Sequence, residues 1–179
     1  MMSSHPAAMP IDALLAECKV TRKRRSGPGG QRRNKVETAV VIEHVPTGIR
    51  AEASERRSQE ANHRVAVFRL RVRLAVAIRA NQLASDVPPV EETAPRLPSL
   101  LWRSRCRGGR LAINPSHDDF PALLAEALDV LERRGSQLPE AAERLGISSS
   151  QLVRLLRHEP AALARVNAMR SELGLRPLR

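Results

Sequence analysis

"ANHRVAVFRLRVRLAVAIRANQL", Ala61 to Leu83, is the stretch whose reading decides the fold. At its centre Phe68, Leu70, Val72 and Leu74 alternate with Arg69, Arg71 and Arg73. Strict alternation is the mark of a half-buried strand. The wider window contains neither Gly nor Pro, and Ala61, Val65, Phe68, Val72, Ala75 and Val76 recur in it at helical spacing. An uninterrupted run from Ser58 to Ala84 far exceeds the roughly 3–10 residues of a strand. The spacing therefore predicts a long helix, with Arg69 and Arg73 one turn apart on it.

Upstream the pattern changes to strands. "CKVTRK" (Cys18 to Lys23) and the β-branched run "TAVVIEH" (Thr38 to His44) are strand candidates. "VPTG" (Val45 to Gly48) places Pro and Gly where a turn needs them, and "IRAEA" (Ile49 to Ala53) alternates again, so residues 38–53 read as a hairpin. Before them "IDALLAE" suggests a short helical approach.

Downstream, "SDVPPVEETAPRLPS" (Ser85 to Ser99) is a Pro-rich acidic linker, and "LLWRSRCRGGRLAINP" (Leu100 to Pro115) is a basic piece with no clear placement. From Asp118 the pattern is helical, with a stripe of Leu123, Leu124, Ala127, Leu128 and Leu131 ended by Gly135. "LPEAAERLGISSSQLVRLLRHEP" (Leu138 to Pro160) reads as helix, tight turn, helix. Ala141, Ala142 and Leu145 face inward, Gly146 allows the turn and Ile147 plugs it. Ser148 caps a second helix with Leu152, Leu155 and Leu156 inside. The spacing matches helix-turn-helix modules, whose second helix would present Ser149, Ser150, Gln151, Arg154 and Arg157 to a partner. The same turn also serves small trihelical units merely to pack, and both readings stay open.

The chain has 179 residues and a net charge of +11. Residues 19–80 hold 16 Lys and Arg against five Asp and Glu, whereas residues 117–179 are balanced. A basic excess confined to one segment points to nucleic acid, bound through phosphate neutralisation, rather than to a merely solvated face. Aromatic residues make up only 2%, too few for a base-stacking sheet. Two cysteines provide neither a disulfide scaffold nor a zinc site of the usual spacing. There is no membrane-length apolar run and no secretory signal, so the expectation is a soluble, reduced, cytoplasmic monomer without metal or cofactor.

The densest charge surrounds the most flexible backbone, in "RRSGPGGQRRNKVETAV" (Arg24 to Val40). This is no Walker loop, because no Gly-Lys-Ser/Thr follows the glycines, and no strand-loop-helix unit with a downstream acid makes it a dinucleotide fingerprint. No Ser–His–Asp set or carboxylate pair stands out. His44 and His63 are expected to be structural or solvent-facing. The informative feature is Gly29-Gly30-Gln31 in this larger setting.

"RRSGPGGQRRNKVETAVVIEHVPTGIRAEASERRSQEANHRV" (Arg24 to Val65) resembles the catalytic GGQ domain of class I peptide chain release factors and their stop-codon-independent rescue relatives. The resemblance runs over roughly residues 18–80. It rests on Ser26, Gly27, Gly29, Gly30, Gln31, Asn34, Lys35, Thr38, Ala39, Val40, His44, Pro46, Thr47, Gly48, Arg57, Ser58, Gln59 and Asn62. It implies a loop that enters the peptidyl-transferase centre of the large ribosomal subunit, where water hydrolyses the peptidyl-tRNA ester. Gly29 and Gly30 would allow close approach to RNA. The Gln31 N–H would stabilise the oxygen that gains charge, a type of donor worth about 3–4 kcal/mol in hydrolytic enzymes. Arg24, Arg25, Ser26, Arg32, Arg33, Asn34, Lys35 and Arg57 would hold rRNA and tRNA.

The expected fold is α+β: a small, mostly antiparallel sheet with one long packed helix, then a small all-α domain with the helix-turn-helix-like unit. Expected domains are a 1–17 extension, the GGQ domain over 18–84, a linker and basic segment over 85–116, and the helical domain over 117–179. The codon-reading elements of full-length release factors do not occur in the sequence, which favours stop-codon-independent hydrolysis. In place of the basic tail usual in short rescue factors stands the charge-balanced helical domain, with Gln151, Arg154 and Arg157 as docking candidates. The alternative is a non-catalytic RNA- or ribosome-binding regulator that uses the basic segment and the helix-turn-helix.

Overall fold

The computed structural model describes residues 5–23, 38–79 and 98–179. They form two compact units, one within residues 9–74 and the other combining residues 5–8 with those from Ala75 onward. The fold class is α+β, as the sequence predicts.

The first unit contains α1 (Ile11–Ala16), β1 (Cys18–Lys23), β2 (Ala39–His44), β3 (Ile49–Ala53) and α2 (Gln59–Ala77), whose last residues pass into the second unit. The sheet is antiparallel in the order β1-β2-β3. Val40 lies opposite Ala53 and Ile42 opposite Ala51, and residues directly opposite share a face. These four are buried, while Glu43 and Arg50 face the other way and pair at 3.0 Å. At the turn, the Thr47 and Gly48 amides both donate to the His44 carbonyl, at 3.2 and 2.8 Å.

The long helix is present and the alternating arginines belong to it, but it ends at Ala77, with Ile78 and Arg79 non-helical, short of the Ala84 to which the uninterrupted run extends. Arg69 Nη1 donates to the Glu52 carbonyl at 2.9 Å, and Arg73 Nη1 donates to the Arg50 carbonyl, so the arginine row runs along β3. The buried line differs from the expected stripe. Asn62, Ala66, Leu70 and Leu74 are fully buried; of the expected stripe Val72 and Ala75 are buried too, whereas Ala61, Val65, Phe68 and Val76 are half-buried. Nearly every residue in the window other than arginine is apolar, so two helical stripes fit it equally well.

Asn62 is the buried polar centre of this unit. Its Oδ1 accepts from the Arg56 amide at 2.8 Å, and its Nδ2 donates to the Thr38 and Arg56 carbonyls at 2.7 and 3.0 Å. One side chain thus joins the residue before β2 to the bend before α2.

The second unit contains a 3-10 turn (Pro6–Ala8), α3 (Leu100–Arg105), β4 (Cys106–Arg107), β5 (Arg110–Leu111), α4 (Phe120–Arg133), α5 (Leu138–Leu145), α6 (Ser149–Arg157) and α7 (Pro160–Glu172). Helix α4 is buried over most of its circumference because α5, α6, α7 and the 3-10 turn all pack on it. A helix apolar nearly all round belongs at the centre of a bundle. Trp102 is fully buried and its Nε1 donates to the Leu145 carbonyl at 2.8 Å. Ser99 caps α3, accepting from the Trp102 amide at 3.0 Å, and its own N and Oγ donate to the two oxygens of Glu126 at 2.6 and 2.5 Å. Burial raises the Glu126 carboxyl pKa, against those two hydrogen bonds.

Residues 98–116, which the sequence divides between linker and unplaced basic segment, form α3 and the β4–β5 hairpin and belong to the second unit. Arg79, just past α2, is buried there as well. It donates to Asp129 Oδ1 at 2.9 Å and to the Ala125 carbonyl at 3.3 Å. Burial lowers its pKa, with Asp129 and Glu132 opposing.

Two buried groups give stability predictions. Replacing Asn62 by Ala leaves the Arg56 amide and the Thr38 carbonyl unpaired, and is expected to destabilise the first unit by about 2–3 kcal/mol. Chemical denaturation followed by far-UV circular dichroism measures it. His5 Nε2 donates to the Ile78 carbonyl at 3.0 Å while Nδ1 accepts from the Ala7 amide at 3.1 Å. Only the neutral ring can do both, and burial lowers the His5 pKa from its ordinary 6.5. The unfolded chain therefore binds the proton first, so this stability is complete above 6.5 and is lost as the pH falls through that value toward the lower folded one. Thermal unfolding followed by Trp102 fluorescence between about pH 7.5 and 5.5 should show that fall, and His5→Gln should flatten it.

Candidate functional site

The first unit delivers the glycine segment through a strand pair. Lys23 at the end of β1 lies opposite Ala39 at the start of β2, with Arg22 opposite Val40 and Thr21 opposite Val41. Both ends of segment 24–38 are thereby held one strand spacing apart. Arg24, Arg25, Ser26, Gly29, Gly30, Gln31, Arg32, Arg33, Asn34 and Lys35 lie outside the described residues.

The two sides of this stem differ. Ala39 and Val40 are buried, whereas Lys19, Arg22 and Lys23 on β1 are exposed. Thr38, the last residue before β2, is tied to α2 through Asn62. The sequence includes Asn62 in the resemblance but assigns it no role. Its hint was an amide side chain in the first turns of an otherwise apolar and basic helix.

Arg57 is exposed in the bend between β3 and α2, one residue from the Arg56 backbone that Asn62 grips on both sides. Below it Arg69 pairs with Glu55 at 2.6 Å. The Ser54 amide and Glu55's own amide hold the Glu55 carboxyl below its usual range, with Arg69 adding to the effect. His44 is buried. Its Nδ1 and the Thr47 hydroxyl are 2.8 Å apart, and its Nε2 is 3.1 Å from Glu17 Oε2. It pins the hairpin turn to the end of α1, and His63 is half-buried on α2. The described polar residues of this unit hold the stem in place. Among the described residues of this unit no cluster of His, Cys, Asp or Glu is able to hold a metal.

In the second unit the inner face, turn and cap of the helix-turn-helix reading are as expected. Ala141, Ala142, Leu145, Ile147, Leu152, Leu155 and Leu156 are buried, and the Ser148 hydroxyl accepts from the Gln151 amide at 3.3 Å. Gly146 ends α5 at φ 67°, a left-handed conformation that suits glycine. Of the three docking candidates, Arg154 and Arg157 are exposed. Gln151 instead joins the β4–β5 hairpin: its Oε1 accepts from the Leu111 amide and its Nε2 donates to the Gly109 carbonyl, both at 2.8 Å. That hairpin turns on Gly108 and Gly109, at φ 55° and 71°, the positive pair a two-residue turn requires. "CRGGRL" carried that signal in the sequence.

Comparison with known proteins agrees with this geometry. Residues 9–94 match the RF-1 domain family. Over 87 residues the chain is 39% identical to the chloroplastic peptide chain release factor PrfB1 of Arabidopsis thaliana, covering 49% of this chain and 19% of that protein. Over 71 residues it is 41% identical to peptide chain release factor 1 of Xylella fastidiosa (strain 9a5c), covering 40% of this chain and 20% of that protein. The chain thus spans about a fifth of the length of these curated relatives. No helix among the described residues is long and apolar enough to cross a membrane. Residues 9–94, which include β1, β2, β3, α2 and the sequence Gly29-Gly30-Gln31, are thus what this chain has in common with the RF-1 domain family, and in that segment it is similar to the class I peptide chain release factors.

Proposed function

We propose that this protein is a release-factor-like peptidyl-tRNA hydrolase that acts on the ribosome without reading a stop codon, and so serves ribosome rescue. The observation that carries the reading is Gly29-Gly30-Gln31 between the paired ends Lys23 and Ala39, within the segment that matches the RF-1 family. A protein that only binds RNA has no use for that glutamine.

In this reading the large ribosomal subunit and the tRNA form most of the catalytic site. Water attacks the ester carbonyl, and the ribose oxygen of the tRNA leaves with a proton. Gly29 and Gly30, lacking side chains, bring the backbone against ribose. The Gln31 N–H donates to the oxygen on which charge develops, while its side chain bounds the space for water. Arg24, Arg25, Arg32, Arg33 and Lys35, with Ser26, Asn34 and Arg57, bind rRNA and tRNA around the tripeptide and fix its position without reading sequence. The protein acts as a monomer in the compartment where these ribosomes work. The second unit docks the factor, using Arg154 and Arg157 on α6, while Gln151 maintains the hairpin.

Peptide release from stalled ribosome complexes tests this. Wild type should release nascent chains above buffer. Gln31→Pro removes the N–H donor and should lower the rate by roughly 10²–10³-fold. Gln31→Ala keeps that donor and should lose less, and Gly30→Ala should fall well below wild type. Wild type that binds ribosomes but releases no more peptide than buffer would refute the hydrolase and leave the regulatory RNA-binder.

A further inference from the structure

The hairpin resting on α6 creates a second basic feature, away from the glycine segment. Between β4–β5 and the outer side of α6 lies a groove of about 830 Å³. Its lining includes Arg105, Arg107, Arg110, Arg154 and His158, the hydroxyls of Ser104, Ser148 and Ser150, and no carboxylate. Arg105 is neutralised by Asp119, to which its Nε and Nη2 donate at 2.9 and 2.5 Å. Arg107, Arg110 and Arg154 are exposed and make no ion pair with any described residue. The unit is otherwise close to charge balance, so three guanidinium groups without an ion pair among the described residues, around one acid-free groove, form a local anion site rather than part of a general excess.

We infer that this groove binds the sugar-phosphate backbone of double-helical RNA, independently of sequence. Three observations select that occupant. The lining contains no Phe, Tyr or Trp, and the His158 ring is turned edge-on to Phe120 at 6.4 Å. Single strands are held by stacking on aromatic platforms, which the groove lacks. Reading B-form DNA would place the first residues of α6 in the major groove. Gln151, the amide best suited to a base edge there, is instead fastened to Leu111 and Gly109, and the hairpin stands beside that helix end. Beside the short apolar run Leu111–Ile113, the polar groups that remain are guanidinium and hydroxyl, the chemistry that contacts phosphates and 2′-hydroxyls across an A-form helix.

The inference is independent of the hydrolase reading. The full chain is titrated with a fluorescent RNA duplex of about 16 base pairs over a range of salt concentrations. Combining Arg107→Ala, Arg110→Ala and Arg154→Ala is expected to weaken binding at least tenfold. The log–log salt slope should become shallower by about 0.9 for each phosphate that is no longer neutralised. The corresponding triple Lys variant keeps the charge and should keep the slope. Arg133, Arg134 and Arg144 are exposed outside the groove. Changing those three to Ala removes the same charge and should have little effect. Gln31→Ala should bind the duplex like wild type, so failed release and failed groove binding are separate results. Unchanged binding by the groove variant, or equal weakening by both Ala triples, would overturn the site. An equal loss on a B-form DNA duplex would overturn the assignment to RNA. Trp102 fluorescence, from a side chain buried in the same bundle, confirms that each variant is folded.

Discussion

Antiparallel pairing of β1 with β2 is the constraint on which the candidate site depends. With Lys23 set opposite Ala39, segment 24–38 leaves and returns at one point. Directly opposed residues sit about 4.5–5.5 Å apart. Strand β1 has almost no buried side chain of its own. Its position comes from ladder hydrogen bonds to β2, and β2 is fixed by burying Ala39, Val40, Ile42 and His44. The stem is therefore firm on one side and open and basic on the other. Cations on the open side cost little there, because burying them would require partners for each of them.

Buried polar groups complete the framework, and each connects distant parts of the chain. Asn62 holds Thr38, His44 holds Thr47 and Glu17, Trp102 holds the Leu145 carbonyl, and Arg79 holds Asp129. Such bonds add modest net stability when formed, but leaving one buried partner unpaired is costly. They favour one arrangement over close alternatives. Apolar contacts among Ala, Val and Leu are less selective, and with an aromatic content of 2% the cores have few large shapes to interlock.

The helix-turn-helix shows how little a motif decides about use. Its turn, cap and inner face follow the usual pattern, yet the hairpin at Cys106–Leu111 occupies Gln151 and alters what α6 can present. Arg105, paired with Asp119, and Arg107, which has no ion pair among the described residues, are two residues apart in one arginine-rich run, with different electrostatic roles. Function here depends on side chains placed on a common scaffold rather than on the scaffold itself.

The sequence alone determined what depends on neighbours within a few residues. The β-branched run at Val40–Ile42, the turn at Val45–Gly48, the unbroken helix after Ser58, the stripe of α4 and the Gly146 turn are all local patterns, and each was legible. The Gly29-Gly30-Gln31 tripeptide was also legible as a motif. Tertiary structure decided which stripe of α2 is buried, since two fitted the same composition. It also decided that Leu100–Leu111 folds into the second unit, and that Gln151 serves the hairpin. The reason is range: Asn62 reaches Thr38 across 24 positions, Gln151 reaches Leu111 across 40 and Trp102 reaches Leu145 across 43. No periodicity of 2 or 3.6 residues encodes a partner at such a distance; only the packed chain brings donor to acceptor.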